Sequence, residues 1–372
     1  MTSEQTPQRF SQRNTSFARS HWDPTCAAYG QAERENSPNR TGYTHRDAAL
    51  QTGAWAVARS SMSPPDADAS RKTAGNGTPD APHALTQQVK QAATLYGAAM
   101  VGIAPINPLW IYASDGNEEP IELPDGVDRA VVLAVEMDYD RISTSPSMVA
   151  GAATGNGYSR MAFTSTCLAR YLAELGWRAI PSGNDVGLSI PLAIDAGMGE
   201  LGRNGILITP LYGPRVRLCK VFTDAPLIPD RPIEFGVKKF CDVCMKCADT
   251  CPSRSISRDE MTLRGSTPSN NPGALKWYTN PDTCLAFWRK NGVSCSNCIR
   301  SCPFNKRSGW FHDLARLLIR RRSHLVDRLL VRLDDLCGYG SARSARRALE
   351  KFAAEGSSTV KKKADAVETA SA

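Results

Sequence analysis

Hydrophobic and polar positions change their spacing several times between residues 85 and 222. Helical spacing and short apolar runs alternate there, each bounded by polar or turn-forming residues. The predicted elements are a helix from Leu85 to Tyr96, strands at 100–104 and 130–137, a helix that enters a strand over 161–180, and strands at 206–209 and 216–222. This alternation predicts an α/β (α+β) layered domain over residues 85–234.

The segments on either side of this domain differ from it in residue composition. Residues 1–84 are mostly polar and predict an irregular N-terminal arm, in which Trp22, Trp55 and the run at 42–58 could anchor a wrapping segment. Residues 313–372 combine a leucine stripe with an arginine-rich face, followed by a tail that is expected to be disordered. We expect this amphipathic basic helix, or helix pair, to dock its leucines on the body; a membrane surface or a partner is the alternative.

Charge and composition narrow the functional class. The chain has 41% hydrophobic residues, enough for a sizeable core, and a net charge of +8. Residues 313–372 hold 13 Lys and Arg against 8 Asp and Glu, so the rest of the chain is close to neutral and we expect no nucleic-acid partner. No apolar run approaches the ~20 residues that span a bilayer, and neither a secretory signal nor a twin-arginine pair is visible, which predicts a cytoplasmic protein.

Eight of the twelve cysteines fall in two runs, and each run ends in Cys-Pro. The first run is Cys241-x2-Cys244-x2-Cys247-x3-Cys251, and the second is Cys284-x10-Cys295-x2-Cys298-x3-Cys302. This spacing is typical of a ferredoxin-like unit with two [4Fe–4S] clusters, in which the last cysteine of each run ligates the cluster of the other run. Zinc sites or disulfides are the alternatives, and both fit the spacing less well.

The spacing assigns four cysteines to each cluster. Cluster 1 takes Cys241, Cys244, Cys247 and Cys302; cluster 2 takes Cys251, Cys284, Cys295 and Cys298. The iron–sulfur module at residues 235–312 is too small to account for the function of the whole chain. The glycine-rich segment 196–205 lies outside this module, and it is either a plain turn or backbone packed against a planar cofactor.

The order of several motifs resembles the reductive dehalogenases, the corrinoid iron–sulfur enzymes of organohalide reduction. The motifs are GYSRMAF, PSGND, SIPLAIDAGMGELGRNG, GPRVRLCKVFTD, NNPGALKWY and the two cysteine runs, and they cover about residues 85–310. The resemblance implies a nitroreductase-like corrinoid-binding core followed by a bacterial ferredoxin-like two-cluster domain. It also implies cobalamin or another corrinoid, bound base-off without a protein ligand on cobalt.

The same resemblance implies roles for individual residues. Tyr158 would supply a proton, Arg217 would stabilise the phenolate, and Asn184 would form a polar wall of the site. Thr154 and Trp288 would line the same pocket for substrate and corrinoid. Read singly, these residues could equally be packing, ion-pair or turn residues.

Two partners follow from this interpretation: a small organohalide substrate, and an external electron donor of the ferredoxin or flavodoxin type, since the chain has no room for a reductase domain. Two other functions compete with it. One is an enzyme like epoxyqueuosine reductase, which acts on tRNA; the other is a non-catalytic iron–sulfur electron-transfer protein.

Overall fold

The computed structural model describes residues 7–32, 40–60, 81–307, 309–320 and 323–354. The strands are β1 (Met100–Pro105), β2 (Arg129–Glu136), β3 (Ala179–Ser182), β4 (Glu200–Leu201), β5 (Leu207–Ile208) and β6 (Val216–Thr223). The helices are α1 (Ser16–Trp22), α2 (His45–Ser60), α3 (Pro82–Leu95), α4 (Tyr139–Ser143), α5 (Met148–Glu174), α6 (Ser189–Asp195), α7 (Val237–Val243), α8 (Lys246–Asp249), α9 (Pro281–Asn291), α10 (Asn297–Arg300), α11 (Trp310–Arg320) and α12 (His324–Leu336). Residues 342–354 are also helical.

The central sheet has the strand order β1–β2–β6–β3, and every neighbouring pair is antiparallel. The fold of the core is therefore of the α+β kind. Alternate residues of β2 face opposite layers, because side chains alternate along a strand. Val131, Leu133 and Val135 pack in the cluster that includes α3 and α5, whereas Val132 and Ala134 pack in the cluster that includes α6.

Helix α5 is longer than its hydrophobic pattern predicts. The sequence indicates a helix from residue 161, but α5 begins at Met148 and contains the glycine-rich stretch before Tyr158. The glycines of α5 allow side chains of other segments to approach its backbone closely. A β-carbon on Gly155 would lie 2.4 Å from Cδ1 of Trp55, and one on Gly151 would lie 2.5 Å from Cγ2 of Val293.

The N-terminal arm is partly helical rather than irregular. Its helix α2 lies along α5, and α1 packs beside α9 of the cysteine-rich module. Arg19 of α1, only 1% exposed, pairs with Asp282 of α9 at 2.7 Å. The predicted arm boundary at residue 84 falls inside α3, which already begins at Pro82 with proline in its first turn.

The leucine stripe of the C-terminal segment does not dock on the body, contrary to the favoured interpretation of the sequence. Leu325 is 77% exposed and Leu336 83% exposed, while Asp327 and Asp334 on the opposite side of α12 are buried. The leucines face solvent because the acidic side of α12 is held inward by ion pairs. The Asp334 carboxylate accepts hydrogen bonds from the buried ammonium groups of Lys246 and Lys306. The predicted disordered tail lies outside the described residues.

Candidate active site and iron–sulfur module

Three elements bring the predicted catalytic side chains together. Tyr158 lies on α5, Arg217 on β6, and Asn184 in the turn after β3. The Asn184 amide donates to the Tyr158 hydroxyl at 3.4 Å. The Arg217 guanidinium carbon lies 5.0 Å from the centroid of the Tyr158 ring, which is cation–π distance. The positive charge, the hydroxyl and the amide thus form one group.

Arg217 is held between α5 and the sheet. It pairs in register with Val135 of β2, so its side chain leaves β6 on the α5 side. Gly157 makes room for its side chain, since a β-carbon there would lie 2.9 Å from Cγ of Arg217. One terminal nitrogen of Arg217 donates to the buried hydroxyl of Thr154 at 3.4 Å. Its Nε is buried and has no hydrogen-bond partner among the described residues.

A buried lysine that the motifs did not single out fixes the turn that carries Asn184. Lys220 of β6 is completely buried on the α6 side of the sheet, and its ammonium group donates to the carbonyl oxygen of Gly187 at 2.7 Å and to the Ser189 hydroxyl at 3.0 Å. It also donates to the carbonyl oxygen of Gly183. Burial lowers the pKa of Lys220 to about 8. The sequence feature that could have singled out Lys220 is its position inside the apolar strand VRLCKVF.

The second residue that the sequence did not assign to the site is Trp55. Its ring stacks on the ring of Tyr158, with centroids 5.0 Å apart and planes inclined by 25°. The Ser159 hydroxyl ties α2 to α5 by donating to the carbonyl oxygen of Ala54 at 2.7 Å. The N-terminal arm therefore covers one face of the tyrosine.

Trp288 is not part of this group. It lies on α9, and its ring contact is with Phe17 of the arm, at 6.0 Å between centroids. It also packs with Leu285 and Cys26 in a small hydrophobic cluster. The predicted position of Trp288 in the pocket of Thr154 and Tyr158 therefore has no contact to support it among the described residues.

A large cleft lies on the other side of α5. It has a volume of about 1240 Å³ and is lined on α5 by Ala152, Ala153, Asn156 and Arg160. With 3.6 residues per turn, these positions project roughly opposite to Thr154 and Tyr158. The cleft is therefore a separate feature from the tyrosine group.

All twelve cysteines lie among the described residues and none forms a disulfide. A small cavity is lined by Cys241, Cys244, Cys247 and Cys302, the four cysteines assigned to cluster 1. The other four influence one another electrostatically: Cys298 is a neighbour of Cys295, Cys284 and Cys251. Cys247 packs in one hydrophobic cluster with Cys251 and Cys298, so the two groups adjoin. The grouping supports the predicted exchange of the last cysteine of each run.

The surroundings of these thiols make the thiolate form unfavourable without a cation. Burial raises the pKa of Cys241 to about 11. Burial also raises the pKa of Cys244 to about 12, and repulsion from Cys241 adds to that shift. Cluster iron would supply the missing positive charge, because bound metal cations stabilise thiolates.

Comparison with known proteins supports both parts of the chain. A family model described as a 4Fe-4S dicluster domain matches residues 240–306, which confirms the two iron–sulfur clusters. The tetrachloroethene reductive dehalogenase of Desulfitobacterium hafniense is 36% identical over 305 residues, or 70% of this chain and 55% of that protein. The tetrachloroethene reductive dehalogenase of Sulfurospirillum multivorans is 37% identical over 293 residues, or 71% of this chain and 58% of that protein.

The fold agrees with these relatives. The catabolic reductive dehalogenase NpRdhA, solved in complex with 3-bromo-4-hydroxybenzoic acid, superposes with a TM-score of 0.74 at 23% identity, covering 94% of this chain and 49% of that chain. The chain thus spans about half the length of the relatives it matches. The resemblance of its motifs is confirmed, and the chain belongs to the reductive dehalogenase family.

Proposed function

We propose that this chain reduces a small organohalide, with a corrinoid as the reacting cofactor, two [4Fe–4S] clusters as the electron path and Tyr158 as the proton donor. The observation that carries the proposal is the convergence of the Tyr158 hydroxyl, the Asn184 amide and the Arg217 guanidinium from three separate elements. The relatives named above are tetrachloroethene reductive dehalogenases, and one structural neighbour is a reductive dehalogenase for which B12-dependent dehalogenation is described.

The side chains around Tyr158 are suited to a large polar cofactor. Asn184 is exposed next to the tyrosine hydroxyl, and the buried Nε of Arg217 has no acceptor among the described residues. A buried donor without a partner indicates a missing acceptor, because such a group is costly to leave unpaired. When bound, a reduced corrinoid supplies the electrons that break a carbon–halogen bond.

The residues of the chain would then bind, orient and protonate. The Tyr158 hydroxyl gives its proton to the carbon from which the halide departs. The Arg217 guanidinium, 5.0 Å from the ring centroid, stabilises the phenolate that remains. The Asn184 amide orients the hydroxyl, and the Trp55 ring excludes water from one face of the tyrosine.

The positions of the two cysteine groups support an order of electron flow. Cys298 of cluster 2 packs with Met137 and with Ala153 of the core helix α5, on the face of α5 opposite to Tyr158. Cys244 and Cys302 of cluster 1 pack with Phe240, Phe304 and Ile319, on the side of α11. An external ferredoxin or flavodoxin-type donor would therefore reduce cluster 1 first, and cluster 2 would deliver electrons to the site.

The test uses the full chain, reconstituted anaerobically with iron, sulfide and cobalamin. We expect about eight iron atoms and one cobalt per chain, and halide release from tetrachloroethene or 3-bromo-4-hydroxybenzoic acid with a reduced viologen as donor. Full iron content without cobalt or halide release would support the non-catalytic electron-transfer alternative. Turnover of an epoxyqueuosine-containing tRNA without halide release would support the tRNA-modifying alternative.

A further inference from the structure

The neighbouring helices α11 and α12 each expose large apolar side chains, which together we call the leucine surface. It comprises Trp310, Leu314, Leu317, Leu325, Leu329 and Leu336, all of them exposed. On each helix these residues recur at intervals of three, four or seven, so they share one face. Phe311 of α11 and Leu333 of α12 line the same cleft between the two helices.

The outward direction of the leucine surface is fixed by the polar contacts behind it. The Asp334 carboxylate is held by Lys246 and Lys306, and the Asp335 carboxylate lies 2.7 Å from Lys246. Leu330 and Val331, on the inner side of α12, pack with the core of the cluster module. Rolling α12 to bury its leucines would break these buried ion pairs, and breaking such pairs is strongly unfavourable.

The charges around the leucine surface are mainly positive. Arg320, Arg328 and Arg332 are exposed on the same two helices. The acidic residues nearby are engaged: Asp313 pairs with Arg316 at 2.7 Å, and Asp334 and Asp335 pair with lysines. The surface therefore presents leucines flanked by arginines.

We propose that the leucine surface binds the interface of an anionic lipid bilayer. Apolar side chains flanked by arginines, with a tryptophan at one end, are the composition of helices that lie in a membrane interface. A second copy of this chain fits less well, because a two-fold interface would set the arginines of one copy against those of the other. No helix among the described residues has the length and apolar character to cross a bilayer, so the contact would be peripheral.

The experiment is vesicle flotation of the full, anaerobically reconstituted chain. Phosphatidylcholine vesicles with and without phosphatidylglycerol serve as probes. We expect the protein to float with the phosphatidylglycerol vesicles, less so at high salt. The double variant Leu325→Gln/Leu329→Gln should lower the partition coefficient by about tenfold or more, while Leu95→Gln, at an 81% exposed leucine of α3, should leave it unchanged.

A second variant separates charge from apolar contact. Arg328→Gln/Arg332→Gln should weaken binding to phosphatidylglycerol vesicles by about tenfold, with Arg231→Gln as the control at an exposed arginine elsewhere. Iron content and circular dichroism check that each variant is folded. The proposal is overturned if the wild-type protein does not float with anionic vesicles, or if the leucine double variant floats as well as the wild type. It is also overturned if the leucine substitutions instead dissociate a dimer, or abolish binding to an acidic ferredoxin, while vesicle binding is absent.

Discussion

The indole ring of Trp55 lies almost flat on the phenol ring of Tyr158, although the two residues are 103 positions apart in the sequence. Gly155 makes the contact feasible, because any β-carbon at that position would overlap the indole. The arm that carries Trp55 is thereby part of the proposed site and shields the ring of its proposed proton donor from solvent.

Replacing Tyr158 by phenylalanine tests the proton donor. Tyr158→Phe keeps the ring, its stacking on Trp55 and its contact with Arg217, but removes the hydroxyl. We expect iron and cobalt content to stay at the wild-type level while turnover falls by about 10²-fold or more. The measurement is steady-state halide release together with metal analysis.

The control for this prediction is Arg217. Arg217→Leu removes the charge that stabilises the phenolate, and Arg217→Lys restores a charge without the guanidinium geometry. If both residues serve one proton transfer, the double variant Tyr158→Phe/Arg217→Leu is little slower than the slower single variant. Wild-type turnover by Tyr158→Phe with full cobalt content would remove Tyr158 as the acid.

The packing of α2 on α5 gives a second prediction. Gly155→Ala should improve intrinsic helix propensity by about 1 kcal/mol. The added methyl group, however, would lie 2.4 Å from Cδ1 of Trp55, so we expect a net loss of stability. The loss should be about 1–3 kcal/mol in urea unfolding.

A rescue experiment identifies the cause. In a Trp55→Ala background the same Gly155→Ala substitution should be neutral or stabilising, because the overlap is gone. Gly116→Ala is the matched control, because a β-carbon added at Gly116 would meet no atom within 4 Å. Equal effects of Gly155→Ala with and without Trp55 would show that the indole is not the obstacle.

Lys220 predicts a pH dependence of stability. Burial lowers its pKa in the folded protein to about 8, whereas an unfolded lysine keeps a pKa of about 10.4. Between these values the unfolded chain holds more protons than the folded chain, so the free energy of unfolding rises with pH. Relative to Lys220→Met, the wild type should gain stability from about pH 8 to pH 10, measured by urea unfolding. An unchanged difference across this range would contradict the prediction.

The two buried aspartates of α12 predict opposite effects. Asp327 is fully buried, and neither carboxylate oxygen has a hydrogen-bond partner among the described residues. Burial therefore raises its pKa, which means that the charged form destabilises the fold at neutral pH. We expect Asp327→Leu to raise the free energy of unfolding at pH 7 by about 1–3 kcal/mol, and by less as the pH falls toward the pKa of Asp327.

The paired aspartate is the control. Asp334→Leu leaves the buried ammonium groups of Lys246 and Lys306 without their acceptor, so we expect a loss of about 3–5 kcal/mol. Urea unfolding of both variants, with iron content as the test of an intact module, compares the signs directly. Destabilisation by both substitutions would mean that Asp327 has a compensating partner.

The elements that sequence alone predicted well are those with a simple repeat. The all-apolar run of β2 and the two cysteine runs have few alternative interpretations. The structure places Tyr158, Asn184 and Arg217 close together, and their catalytic roles stay predictions. The start of α5 was missed because its glycines serve contacts with a distant helix rather than a local repeat. The direction of the leucine stripe also depends on tertiary contacts. Ion pairs of Asp334 with Lys246 and Lys306 hold the opposite side of α12 inward, so the leucines face solvent. Lys220 stands out in the sequence as a lysine inside an apolar strand, but the sequence does not show which oxygen atoms its ammonium group contacts.

The buried pair of Arg19 and Asp282 joins the beginning of the chain to a helix formed much later. Arg289 strengthens the same joint by donating to the Ser20 hydroxyl at 2.7 Å. During synthesis on a ribosome, α1 emerges long before α9, so this contact can form only after the cysteine-rich module has been synthesised. Helix α9 also carries the cluster ligand Cys284. The arm can therefore pack in place only after the helix that carries Cys284 has formed.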